Sequence, residues 1–199
     1  PPFITSTLQQ EASRKLGFTA KRTMTAAQML YEGVEVKGYG TLGLITYMRT
    51  DSLRIADEAM SAAESFIKNN YGIEYLPEKP RHFKSRKSAQ DAHEAIRPST
   101  PEITPDKIKD TVPADQYKLY KLIWERFMAS QMASSLYDTV SADIKANDYI
   151  FKASGSKICF KGFELLYVSE NDDDSVKKIP MLTEGEKLQC SELKPEQHF

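Results

Sequence analysis

Along the first third of the chain, apolar residues recur at helical spacing. Leu8, Ala12 and Leu16 share one face behind Ser6-x-x-Gln9, which fits a capping box, and Gly17 stands where a left-handed residue ends a helix. Met24, Ala27 and Tyr31 mark a second helix over about 21–31, with Gly33 as its stop. The pattern then changes. Three glycines (Gly38, Gly40, Gly43) precede Leu44-Ile45-Thr46-Tyr47-Met48, a β-branched and aromatic run that predicts an extended segment. Thr50, Asp51 and Ser52 are competent N-caps for the next helix, in which Leu53, Ala56, Met60, Ala63 and Ile67 line one side and Asp57, Glu58, Glu64 and Lys68 the other.

Residues 71–105, rich in proline and charge, read as a long structured loop with one helical turn around Ala89 to Ile96. A long helix is expected from Pro113 to about Ala133, since proline suits a first turn and Tyr120, Ile123, Trp124 and Phe127 follow at helical spacing. After Ser135 the period becomes two: Val140, Ala142 and Ile144, then Ile150, Ile158 and Phe160, then Phe163 to Val168, separated by Asn147-Asp148, Gly155 and Gly162. The pattern predicts an α+β chain of two units, mainly helical over 1–135 and β-rich over 136–199.

With 199 residues, 40% apolar and 28% charged, the composition is that of a globular protein and excludes a collagenous or mostly disordered chain. No apolar run approaches the ~18–20 residues of a membrane helix, and the opening residues do not read as a basic, apolar leader, so a soluble, unexported chain is expected. The first residues, Pro1-Pro2-Phe3, read like the middle of a longer chain, so a fragment is expected. Cys159 and Cys190 supply neither a C-x-x-C pair nor a four-ligand zinc site, which suits a reduced chain with no metal of its own. A net charge of −1 hides an asymmetry: residues 1–100 hold 14 Lys+Arg against 11 Asp+Glu, and residues 101–199 hold 13 against 17.

Four stretches carry candidate chemistry. In Tyr47-Met48-Arg49 the outer two side chains of an extended segment project to one side, just ahead of an expected helix N-terminus, a plausible place for a phosphate. A tyrosine can act as a covalent nucleophile when its phenol, with an ordinary pKa of about 10, has a positive charge or a base beside it, and Arg49 offers that charge in a planar fork. A packed aromatic with a hydrogen-bonded hydroxyl fits the same spacing. Gln90-Asp91-Ala92-His93-Glu94-Ala95-Ile96-Arg97-Pro98 gathers a histidine, two carboxylates and an arginine, and His93 is either a proton-transfer or phosphate-binding group or a surface residue in a capped turn. Lys79, Arg81, Lys84, Arg86, Lys87 and Arg97 form a basic stretch able to follow a phosphate backbone or to stand as a solvated loop. Asp172-x-Asp174 lacks a glycine turn or a following helix and reads as a solvated turn rather than a magnesium site.

Two of these stretches, Gly43-Leu44-Ile45-Thr46-Tyr47-Met48-Arg49-Thr50-Asp51-Ser52 and Ala92-His93-Glu94-Ala95-Ile96-Arg97-Pro98, resemble the signature segments of type IA DNA topoisomerases, and the opening residues 1–12 are similar to the segment entering that family's tyrosine domain. The resemblance is strong over 1–135 and weaker beyond. It implies a mainly helical catalytic-tyrosine domain with a winged-helix-like portion over 1–135, acting as a lid, and an incomplete antiparallel β-rich arch segment over 136–199. Tyr47 would attack single-stranded DNA within a negatively supercoiled duplex and form a 5′-phosphotyrosine link before strand passage and resealing. Arg49 and His93 would serve catalysis and bind DNA, with Arg97 a further DNA contact. The resemblance also implies Mg²⁺ in the full-length enzyme, held by a Toprim domain absent from these residues, so that this segment alone neither holds the metal nor cleaves DNA. The expected setting is a cytoplasmic, nucleoid-associated monomer that works with the remaining domains of its polypeptide and has no membrane partner. A non-catalytic single-stranded DNA-binding module, a decatenating type IA enzyme and the topoisomerase half of reverse gyrase remain open alternatives.

Overall fold

The computed structural model describes residues 1–84, 93–167 and 182–197. Arg86 and Lys87 of the basic stretch, Gln90 to Ala92 ahead of His93, and Asp172-x-Asp174 lie outside the described residues. The described residues form two units: 1–136 with 160–167, and 137–159 with 182–197.

In the first unit the longest apolar pattern becomes the centre. Helix α5 (Ala114–Gln131), capped by Pro113, buries Leu119, Tyr120, Ile123, Trp124, Phe127 and Met128. Such a wide apolar surface receives α1 (Thr5–Leu16), α2 (Ala20–Glu32), α3 (Asp57–Asn70) and the short α4 (Pro105–Ile108) on different sides. Polar atoms on this core helix find main-chain partners: the Tyr120 hydroxyl donates to the Ile103 carbonyl (2.5 Å) and the Trp124 indole N–H to that of Pro101 (3.0 Å). These two bonds fasten the loop leading to α4, a helix that the sequence pattern does not announce.

Helix ends follow local chemistry, with some corrections. Gly17 closes α1 at φ 65°, so that the Phe18 N–H reaches the Ala12 carbonyl (3.1 Å) and the Phe18 ring enters the core. At the other end the cap is Ile4, whose N–H donates to Thr7 Oγ1 (3.1 Å), and not the expected Ser6–Gln9 box. Helix α2 buries Thr23, Ala26, Ala27 and Leu30, which leaves Tyr31 exposed instead of in the core. A hairpin follows, β1 (Val34–Val36) paired antiparallel with β2 (Gly40–Leu42), its strands too short to show alternation in sequence. Helix α3 starts at Asp57, well after the expected caps. The Ser52 N–H donates to Thr50 Oγ1 (3.0 Å) and the Arg54 N–H to Ser52 Oγ (3.2 Å), and these hydroxyl turns hold residues 50–54 out of the helix. Of the helical turn expected around Ala89 to Ile96, residues 89–92 lie outside the described residues, and residues 93–96 are not helical, Ile96 being bridged to Phe3.

Strands β3 (Leu136–Ala146) and β4 (Tyr149–Phe160) form the period-two hairpin of the second unit, closed at Asn147-Asp148 with Asn147 at φ 53°. The expected strand over 163–168 is instead a 3₁₀ helix, Gly162–Leu165. Phe163, Leu166 and Tyr167 fall at helical spacing and pack into the first unit, so the alternation there is coincidental. The chain is thus α+β, and no helix among the described residues is long and apolar enough to cross a membrane.

Two buried tyrosines link this packing to alkaline pH. Burial pushes the Tyr120 phenol well above its usual value, and burial together with the hydrogen bond to Glu11 (2.9 Å) pushes Tyr167 up to about 12. Since the unfolded pKa is about 10, the folded chain favours the protonated phenols, and the resulting stability is full below pH 10 and lost as pH rises towards 12. Thermal unfolding measured between pH 8 and 12 is expected to show this fall. Tyr167→Phe should flatten it, and an unchanged slope in that variant would remove Tyr167 from the account.

Candidate active site

No long strand carries Tyr47. Its segment is held by single bridges to residues distant in sequence. Ile45 pairs with Pro98 and Phe3 pairs with Ile96, so residues 95–98 lie between the chain start and the segment before Tyr47. Thr46 makes the tightest crossing. Its N–H donates to the Arg97 carbonyl (3.0 Å), its hydroxyl donates to the Ala95 carbonyl (2.7 Å), and the same oxygen accepts the Arg97 N–H (3.0 Å). The Ala95 N–H in turn donates to the Arg54 carbonyl (2.8 Å).

On the other side of Tyr47, Thr5 repeats the device. Its N–H donates to the Thr50 carbonyl (2.9 Å), its hydroxyl to that of Met48 (2.8 Å), and its oxygen accepts the Thr50 N–H (2.8 Å). A third fastening comes from α2, where the Leu44 N–H donates to the Leu30 carbonyl (2.7 Å). Gly43 is required there: a β-carbon would stand 2.7 Å from the Tyr31 carbonyl oxygen, inside any real contact. The backbone around Tyr47 is therefore tied to α1, to the end of α2 and to residues 95–98.

These ties decide which side chains meet. Met48 is fully buried while Tyr47 and Arg49 on either side of it are exposed, so the outer two face solvent as the sequence spacing predicts. The Tyr47 ring, 37% exposed, lies 5.5 Å from that of His93 at an interplanar angle of 29°, a stacked pair. The Tyr31 ring stands 5.4 Å from Tyr47 at 65°, edge to face. Arg49 has no hydrogen-bond or ion-pair partner among the described residues, which leaves its guanidinium available to a ligand. Arg97 is engaged: its Nε (2.9 Å) and Nη2 (2.6 Å) reach Glu94 Oε2, and its Nη1 donates to the Pro98 carbonyl (3.0 Å). Glu94 also faces Arg54 at 3.9 Å.

Tyr47 and His93 thus meet ring to ring, Arg49 is exposed two residues along from Tyr47, and Arg97 is held in an ion pair with Glu94. The pattern read from sequence missed the place of Tyr31 and the two clamping threonines, and gave Glu94 no role as the partner of Arg97. Tyr31 shares helical spacing with Met24 and Ala27, and Thr5 and Thr46 look like ordinary β-branched residues until their partners are known. The helix N-terminus expected at residues 50–53 does not stand beside Tyr47, because α3 begins at Asp57. Chemically, an exposed phenol beside an imidazole and an unpaired guanidinium suits attack on a phosphoryl group, with the cation set to meet the charge that develops on its oxygens. Among the described residues no group of three or more His, Cys, Asp or Glu side chains is arranged to hold a metal ion.

If the clamp sets the site, Thr46→Val should cost about 1–3 kcal/mol, because the Ala95 carbonyl and the Arg97 N–H each lose a partner, and Thr46→Ser should restore most of it. Urea unfolding of the three proteins checks this. Equal stability of all three would show that the crossing is not a structural tie.

The family described as DNA topoisomerase matches residues 1–199. A structure of full-length topoisomerase I from Thermotoga maritima in a monoclinic crystal form is similar at 42% identity and a TM-score of 0.76, over 91% of this chain. That similarity spans 28% of the Thermotoga chain, so the 199 residues correspond to less than a third of its length. A match along the whole chain, with the tyrosine and histidine motifs meeting on one surface, settles the assignment: the chain belongs to the DNA topoisomerase family, in the type IA class that its motifs resemble.

Proposed function

We propose that these residues supply the nucleophile-bearing part of an enzyme that relaxes negatively supercoiled DNA by cutting and resealing one strand. The observation that carries this reading is exposed Tyr47 with His93 stacked on it, and exposed Arg49 two residues along, without a polar partner among the described residues. In the proposed step Tyr47 Oη attacks a phosphodiester of single-stranded DNA. The bond from phosphorus to the 3′ oxygen breaks, leaving a 5′-phosphotyrosine and a free 3′-hydroxyl. The phenol gives up one proton and the 3′ oxygen takes up one, so the cut is balanced, and the reverse attack reseals the strand after another passes. Arg49 binds the phosphoryl oxygens where negative charge gathers. His93 orients the phenol and donates to the phosphate or its neighbours. Arg97, through its pair with Glu94 and its bond to the Pro98 carbonyl, holds this loop in place.

The reading assigns the first unit, residues 1–136 with 160–167, to a lid-like tyrosine domain and the second unit to a segment of the arch. Further domains of the same polypeptide would supply the rest of the DNA channel and the Mg²⁺ ligands, since the described residues offer no such site. On this view the 199 residues alone neither cleave nor relax DNA and bind single strands weakly and salt-sensitively, because few phosphates are neutralised. The working form is a monomer in the cytoplasm, associated with the nucleoid.

The test uses the protein that carries these residues together with the remaining domains. It is incubated with a labelled single-stranded oligonucleotide and Mg²⁺, denatured, and mapped by mass spectrometry. The expected result is a nucleotide adduct on the Tyr47 peptide that Tyr47→Phe abolishes together with relaxation. Relaxation surviving in Tyr47→Phe would mean that the motif is architectural and that the chain is a DNA-binding module.

A further inference from the structure

Beside the nucleophile stands an aromatic residue that the proposed chemistry does not use. Tyr31, the penultimate residue of α2, is 41% exposed, and its ring meets that of Tyr47 edge to face at 5.4 Å. Its hydroxyl bonds to no described residue, so the contact is made by the ring alone. The backbone beneath it is rigid relative to Tyr47. The Leu44 N–H is bonded to the Leu30 carbonyl at 2.7 Å, and the Tyr31 carbonyl sits where Gly43 leaves no space for a β-carbon. Tyr31 therefore cannot drift from Tyr47 without breaking the end of α2 away from the segment that leads to the nucleophile.

From this geometry we infer that Tyr31 is a positioning residue: its ring holds the Tyr47 phenol in the orientation from which it attacks the phosphodiester. The inference rests on the proposed role of Tyr47 as nucleophile. Edge-to-face pairing of this kind favours one ring arrangement modestly and restricts the swing of a half-exposed side chain, which is where orientation gains arise in a transfer step. A competing use of an exposed tyrosine, stacking a nucleobase, fits the surroundings poorly. The last turn of α2 carries no basic residue, Glu32 follows Tyr31 directly, and a helix C-terminus presents the negative end of its dipole, so α2 itself supplies no cation for the phosphates that flank a stacked base.

The experiment measures two quantities in the protein that carries the remaining domains: the single-turnover rate of adduct formation at saturating oligonucleotide, and oligonucleotide affinity by fluorescence anisotropy in a Tyr47→Phe background. Tyr31→Ala is expected to lower the saturating rate about 3- to 10-fold with affinity within about twofold, and Tyr31→Phe, which keeps the ring, to restore the rate. Because Tyr31 is exposed, the unfolding midpoint should stay in place, which separates positioning from loss of structure. Weaker binding with an unchanged saturating rate would overturn the inference in favour of base stacking, and no change in either quantity would make Tyr31 a bystander. An adduct that persists in Tyr47→Phe sinks the functional reading and this inference together. Loss of the adduct in Tyr47→Phe with an unchanged rate in Tyr31→Ala sinks the inference alone.

Discussion

Everything at the candidate site depends on two threonines, each of which ties its hydroxyl and its own N–H to a distant segment at once. Thr46 donates to one carbonyl, accepts an N–H and pairs its own N–H across to residues 95–97, and Thr5 does the same to residues 48–50. Between them lies a stretch of backbone with no regular strand or helix to satisfy its polar groups. A buried amide or carbonyl without a partner costs about 1–3 kcal/mol, so these crossings let an irregular loop sit within the folded unit. The outcome is a nucleophile on a loop whose conformation is as determined as that of a strand.

That determination explains the site's composition. With Met48 buried as an anchor, Tyr47 and Arg49 are turned outward, and the bridge from Ile45 to Pro98 carries His93 to the Tyr47 ring. Glu94 draws Arg97, and more distantly Arg54, to itself, while Arg49 has no such partner among the described residues. A charge reserved for a ligand and charges spent on structure thus lie within a few residues of each other. Their division follows from where the carboxylate sits.

How much of this was legible in the sequence depended on the range of the interactions. The helices came from periodicity that their own residues carry: Leu8 with Ala12 in α1, and Tyr120, Ile123, Trp124 and Phe127 in α5. The outward alternation of Tyr47 and Arg49 was legible for the same local reason. The start of α3 was misread because Thr50 and Ser52 are equally good at capping a helix and at forming hydroxyl turns, and only the bonds to Thr5 decide between the two. The strand expected over 163–168 failed because Phe163, Leu166 and Tyr167 serve a short helical turn as well as an alternating strand. Contacts from Thr5 to Thr50 and from Thr46 to Arg97 span most of the first hundred residues, and no spacing rule reaches that far.

Amide hydrogen exchange tests the central claim most directly. If the two threonine clamps are integral to the fold, the amides of Thr46, Thr50, Ile96 and Arg97 should exchange together with those of α5, only through global unfolding. Exchange of these four amides at the rate of exposed loops, while α5 stays protected, would contradict it and leave Tyr47 on a segment that the fold does not hold.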